Sequence, residues 1–355
     1  MSSKVWPVLT TRFRLGVQID RCEADIQQTH SIEHDSTSIE LDLLLFTGLP
    51  LETHMLWSSY KSILIALTVI LPGGVAADVT VEENITYGEG GDTELKLDIA
   101  RPVGDGPFPA IVFIHGGGWY QGTRQGYRGQ IMEAARRGYV ATTISYRLMK
   151  FDEKKKETTT ATASFPAQIY DAKAAIRWLR ANAAKYHIDP GHVGVTGSSA
   201  GGHLSLLVGL TDVKSNLEGD GGNPDQSSRV QAVVNVYSPT DIAACHKDSS
   251  VAWIFRLFMG GTPDETAETY KQASPVTYVS RDNPPVLTLH GDRDALVPVA
   301  QATTLNDKMK AAGASHTLMI FEGQGHGFRG EYQQKAITAT WDFFDQHLKS
   351  KSSAE

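Results

Sequence analysis

From Asp78 onward, short apolar runs rich in Val, Ile and Thr alternate with segments in which apolar residues recur every three or four positions. The first pattern belongs to strands and the second to amphipathic helices. It predicts strands near residues 79–87, 94–100, 110–115, 139–145, 192–196, 231–237, 285–290 and 316–322. It predicts helices over 126–137, 166–186, 200–210, 250–259, 298–312 and 331–349. In the second of these, Ile169, Ala172, Ile176, Leu179 and Ala183 form one apolar stripe. Strands joined by helical crossovers imply an α/β fold, with an eight-stranded, mostly parallel sheet and helices on both faces. Lys150 to Ala163 and Asn216 to Ser228 break the alternation and read as solvated loops. Glu218 to Asp225 has the composition of a calcium loop without its spacing, so no metal site is expected there.

Ahead of this region, Lys61 to Ala77 carries a basic flank, a short apolar run and small residues at its end. It reads as a signal peptide, spanning residues 55–77 and cleaved after Ala77, with residues 78–350 as the catalytic domain. The apolar run from Ile63 to Leu71 is shorter than the roughly 20 residues a bilayer demands. No stable membrane insertion is expected after cleavage; the alternative is a buried core helix. Residues 1–54 lack periodicity and turn signals. They are expected to be an upstream extension of a mis-assigned start, with Met55 as the true one, or a dispensable leader. A real N-terminal arm is the competing reading.

The formal net charge of -7 disfavours nucleic acid or an anionic membrane as partner, since an acidic field repels both. A small-molecule or polysaccharide substrate is expected instead. Cys22 and Cys245 have no metal-ligand spacing, so neither a zinc site nor a disulfide framework is implied. With cleavage after Ala77, Cys245 is a lone thiol and reads as a small buried hydrophobe.

Candidate chemistry centres on Gly197-Ser198-Ser199-Ala200-Gly201, a G-x-S-x-G between an apolar strand and an apolar helix. There the small residues let a strained serine stand clear of the turn, which makes Ser199 the candidate nucleophile. A serine hydroxyl needs a base, and that base needs an orienting acid. Asp294, at the end of a predicted strand, lies 95 residues beyond Ser199, and His326, in Gly325-His326-Gly327-Phe328, lies 32 further on. This order of serine, acid and histidine suits the elbow. Asp292 and Asp241 compete for the acid role, with a turn and a helix cap as their structural readings. His203 reads as packed and hydrogen-bonded on the helix after the elbow, and His187 lies in a helix-to-strand loop. His115-Gly116-Gly117-Gly118-Trp119 ends another strand and brings backbone amides within reach of a reacting carbonyl. Gly117, Gly118 and Ala200 are the expected oxyanion donors, each worth roughly 2.7 to 4 kcal/mol.

Together, His115 to Trp119, Gly197 to His203, His290 to Asp294 and Gly325 to Phe328 resemble the esterase/lipase superfamily of α/β-hydrolases. Leu257 to Pro263 and Ala273 to Ser280 are similar to its secreted acetyl xylan/feruloyl esterase-like group. The resemblance spans residues 80–348 and implies a cofactor-free serine esterase. The sequence departs from hormone-sensitive-lipase-like relatives, which carry aspartate at the position of Ser198 and an N-terminal helical cap. A short strand pair stands where that cap would be, so no large cap and an open site are expected.

The expected activity is hydrolysis of acetyl or similar short-chain esters, displayed on a polysaccharide such as xylan, by an enzyme exported to the periplasm or beyond. Trp119 and Tyr120 are candidate substrate-binding aromatics beside the glycine loop; Trp253, Phe255 and Phe258 are weaker candidates on a helix. An amidase, peptidase or formamidase-like hydrolase is the neighbouring alternative, and a catalytically silent binding protein the remote one.

Overall fold

A computed structural model describes residues 78–349, apart from Glu153, Lys155, Lys156 and 159–162. The expectations for the leader and for residues 1–54 lie outside the described residues. All described residues fall within one compact unit.

The eight strands of the main sheet are β1 (Val79–Gly90), β2 (Thr93–Pro102), β3 (Phe108–Ile114), β4 (Val140–Ile144), β7 (Ile188–Ser198), β8 (Ala232–Val236), β9 (Val286–Gly291) and β10 (His316–Phe321). Two-residue strands β5 (Phe151–Asp152) and β6 (Glu157–Thr158) pair separately. The sheet order is β1-β2-β4-β3-β7-β8-β9-β10; β1 and β2 run antiparallel and β3, β4 and β7 to β10 run parallel. All eight strands occur where the hydrophobic runs place them.

Along β3, the period-2 alternation sends Ala110, Val112 and Ile114 to one core and Ile111 and Phe113 to the other. The first core is covered by α2 (Ala167–Ala181), α4 (Ala200–Leu210) and α8 (Ala300–Ala312), the second by α1 (Arg128–Arg136) and α9 (Glu331–Leu348). Helix α4 is apolar on nearly all sides because it is buried on nearly all sides. The predicted second helix ends earlier, at Ala181, and resumes as α3 (Ala183–Tyr186).

Three more helices, α5 (Ile242–Asp248), α6 (Ala252–Met259) and α7 (Ala267–Gln272), lie between β8 and β9. Of these, α5 and α7 are absent from the sequence prediction, because seven and six residues are too few to establish a 3.6-residue period.

Neither predicted loop is simply solvated. Phe151 on β5 packs edge-on against Tyr120 at 5.1 Å and near Trp253 at 5.4 Å. In the second loop Leu217 is fully buried, and Glu218 pairs with Lys173 at 2.5 Å and Arg177 at 3.3 Å. Both cations project from α2 and are themselves buried, so the loop closes over that helix. Among the described residues no cluster of His, Cys, Asp and Glu suits a metal ion, and no helix is long and apolar enough to cross a membrane.

Candidate active site

Parallel strands gather functional groups at their carboxyl ends. Here β3 leads into His115, β7 into Ser199, β8 into Tyr237, β9 into the loop bearing Asp294, and β10 into the loop bearing His326. Their ends are level, since Ile114 pairs with Gly197, Ser198 with Val236, Val236 with Leu289, and Phe321 with Gly291.

At the turn from β7 into α4, Ser199 has φ 54° and ψ -122°, a conformation that costs a non-glycine residue on the order of 1–3 kcal/mol. Its neighbours make that turn possible. A Cβ on Gly197 or Gly201 would collide with the carbonyl oxygen of Ile114. The turn is held from the side by the Ser199 amide, which donates to Val236 O at 2.9 Å.

The structure brings together Ser199, His326 and Asp294. Ser199 Oγ lies 2.9 Å from His326 Nε2, and His326 Nδ1 lies 2.6 Å from Asp294 Oδ2. Asp294 is buried, and its other oxygen accepts the amides of Leu296 and Val297, each at 2.9 Å. With both carboxylate oxygens engaged, Nδ1 is the protonated nitrogen and Nε2 is left to accept from the serine. The acid and histidine loops are sewn together: Arg293 N donates to Gln324 O at 2.9 Å, and Gly323 N to Asp292 Oδ1 at 2.6 Å. Asp292 therefore braces the histidine loop, where the sequence suggested a bond to its own turn. Asp241 caps α5 by accepting Ala244 N at 3.1 Å.

The glycine loop is fixed one peptide at a time. The His115 ring lies flat on Tyr146, with centroids 4.3 Å apart, and its Nδ1 donates to Gly116 O at 2.8 Å. Burial holds the His115 pKa below its ordinary value, which keeps the ring neutral. Gly117 O accepts the amides of Tyr120 and Gln121 at 3.2 and 3.0 Å. Carbonyl and amide of a trans peptide point opposite ways, so these bonds aim the amides of Gly117 and Gly118 away from the loop's own carbonyl partners. Ala200 opens α4, where its amide has no intrahelical acceptor. All three residues line one pocket of about 350 Å³ with Ser199 and His326.

The aromatic candidates separate. Trp119 is only 2% exposed and stacks on Phe258 at 4.2 Å, so its indole belongs to the core and presents no open face to a sugar. Phe258 is fully buried and Phe255 nearly so. Tyr120 and Trp253 are half-buried, line the pocket and approach each other at 6.0 Å. His203 is fully buried, donates from Nε2 to Ala273 O at 2.7 Å, and is pushed down to a pKa of about 4 by that burial. His187 bonds Asp105 O at 2.9 Å at the start of β7, the opposite end from Ser199.

Sequence reasoning missed Tyr237, whose ring lies 4.6 Å from that of His326, and His290, which donates to Val297 O at 2.8 Å beneath the acid turn. Their position at the carboxyl ends of β8 and β9 was the available signal.

The BD-FAE family profile matches residues 97–309. The chain is 33% identical over 251 residues to Esterase LipC of Mycobacterium tuberculosis, covering 69% of this chain and 59% of that one. It spans between half and three-fifths of the length of the curated relatives first matched. Among solved structures, a bifunctional GH43-CE protein of Bacteroides eggerthii is similar with TM-score 0.66 and 30% identity, over 76% of this chain and 35% of that one. Thermogutta terrifontis Est2, a thermophilic esterase, is similar with TM-score 0.63 and 28% identity, over 79% and 95%. Other structures of Est2 contain propionate or butyrate, or are phosphorylated by paraoxon.

Proposed function

The chain belongs to the BD-FAE family within the α/β-hydrolase esterase superfamily, and on that premise we propose that it is a serine-dependent carboxylic ester hydrolase acting on short-chain acyl esters of polysaccharide. The observation that carries this reading is the continuous hydrogen-bond chain from Ser199 through His326 to Asp294, facing the pocket. Ser199 Oγ attacks the ester carbonyl while His326 Nε2 takes its proton. Asp294 holds the imidazole in register and stabilises the imidazolium. The amides of Gly117, Gly118 and Ala200 receive the negative oxygen. The tetrahedral intermediate then collapses to an acyl-serine as His326 returns the proton to the departing alcohol. Water repeats the cycle and releases the acid.

A short acyl group is supported by the propionate and butyrate found in the related Est2 structures. A polysaccharide alcohol is supported by a further structural relative, a carbohydrate esterase from gut microbiota that is 30% identical with TM-score 0.63, and by the half-buried aromatic rings of Tyr120 and Trp253 in the pocket lining. Export, with cleavage after Ala77, is part of the same proposal; N-terminal sequencing of the native protein tests it.

Ser199→Ala is expected to lower turnover of p-nitrophenyl acetate by more than about 10⁴-fold with an unchanged melting temperature. A fluorophosphonate probe should label the parent protein and spare the variant. Unchanged turnover in the variant would refute the nucleophile. Comparing acetylated xylan with an aminoacyl amide separates esterase from amidase.

A further inference from the structure

Seven non-glycine residues among those described have positive φ. Four are Asn or His, types that tolerate the left-handed region. The other three, Trp119, Ser199 and Tyr237, all line the active-site pocket. Strain of this kind persists where the surroundings over-determine a residue, and it gathers at functional sites. For Ser199 the reason is the elbow, and Trp119 ends the oxyanion loop. Tyr237, at φ 39°, has no such role.

Its surroundings supply one. The Tyr237 amide donates to Leu289 O at 2.7 Å, which fixes the backbone. The ring then packs on His326 at 4.6 Å and on Phe328 at 5.3 Å, and Tyr237 and Ser198 both line the pocket. A second phenol, Tyr127, lies with its hydroxyl 3.0 Å from Ser198 Oγ. Burial raises the pKa of both phenols, so both keep their protons. A hydroxyl both donates and accepts, so those of Ser198 and Tyr237 keep capacity for a ligand in the pocket.

The leaving alcohol must take its proton from His326 Nε2, so it lies on the wall that His326 shares with Tyr237. Val251, Trp253, Ile254 and Phe255, which also line the pocket, are mainly apolar. We propose that the hydroxyls of Ser198 and Tyr237 form the subsite for the leaving alcohol and select esters whose alcohol bears a second hydroxyl close to the ester oxygen. This rests on the esterase reading above.

The test compares 2-hydroxyethyl acetate with its near-isostere propyl acetate, each rate corrected for alkaline hydrolysis of the free ester. The parent enzyme should favour the hydroxyl-bearing ester in kcat/KM by about five- to tenfold, the range of a net hydrogen bond. Tyr237→Phe, which keeps the ring against His326, and Ser198→Ala should each bring that ratio towards one. A corrected ratio of one in the parent overturns the proposal, as does a ratio unmoved in both variants. If the parent hydrolyses neither ester, the esterase reading itself falls. Ser199-dependent hydrolysis of both esters without preference removes only the alcohol subsite.

Discussion

Two clusters of buried ionisable side chains share this scaffold and end differently. In one, Glu218 takes Lys173, Arg177 and the Ser228 hydroxyl, and Arg177 also donates to the carbonyls of Glu218 and Gly222. Its bonds close among its own members. In the other, Asp294 is just as fully engaged, but its second oxygen leads through His326 to a serine hydroxyl that lines a pocket. The difference teaches that burial and charge pairing do not by themselves mark a reactive site. A site needs a hydrogen-bond chain that ends on a group substrate can reach.

The largest effect should come from breaking the open chain. Asp294→Asn keeps the shape but removes the charge that stabilises the imidazolium. Its kcat is expected to fall by about three to four orders of magnitude while the thermal transition stays near that of the parent. Activity close to the parent's would return the acid role to Asp292 or Asp241.

Breaking the closed cluster should do the reverse. Glu218→Ala leaves the fully buried Lys173 ammonium without its partner, at an expected cost of about 3 kcal/mol. Denaturant unfolding should show that loss, with kcat per folded molecule unchanged; a parallel loss of kcat would join the two clusters functionally.

The smallest effect sharpens the contrast through pH. Burial depresses His203 from its ordinary 6.5 to about 4, so between those values the unfolded chain binds the proton that the folded one refuses. Stability contributed by keeping this ring neutral is present above pH 6.5 and is lost as pH falls towards 4, at about 2 kcal/mol by pH 5. His203→Gln should flatten that part of the stability profile. An unchanged slope would place the acid sensitivity elsewhere.

Much of the site was legible because it depends on local backbone geometry. A Cβ at 197 would meet the backbone of Gly201 within the same turn, a limit the pentapeptide itself carries, although the neighbouring strand at Ile114 presses on both glycines. The Trp119 ring was misjudged for the opposite reason. Its neighbour in sequence is the oxyanion loop, but its indole turns into a stack with Phe258, more than a hundred residues away. Tyr237 carried no motif, since its setting arises from a strained backbone and from the rings of His326 and Phe328, brought in after β10. The loop at 216–228 looked solvated because its polar composition gives no hint that its partners on α2 are buried cations.

The sequence by itself determined the strand count, the parallel α/β architecture, the turn that exposes Ser199 and the order of the groups that follow it. These are set by hydrophobic period and by steric limits acting within a few residues. Only the tertiary structure decided which aspartate reaches His326, which aromatics keep an open face, and where buried charge closes on itself. Those outcomes depend on contacts between segments far apart in the chain, and on burial, which determines what each hydrogen bond and each charge is worth.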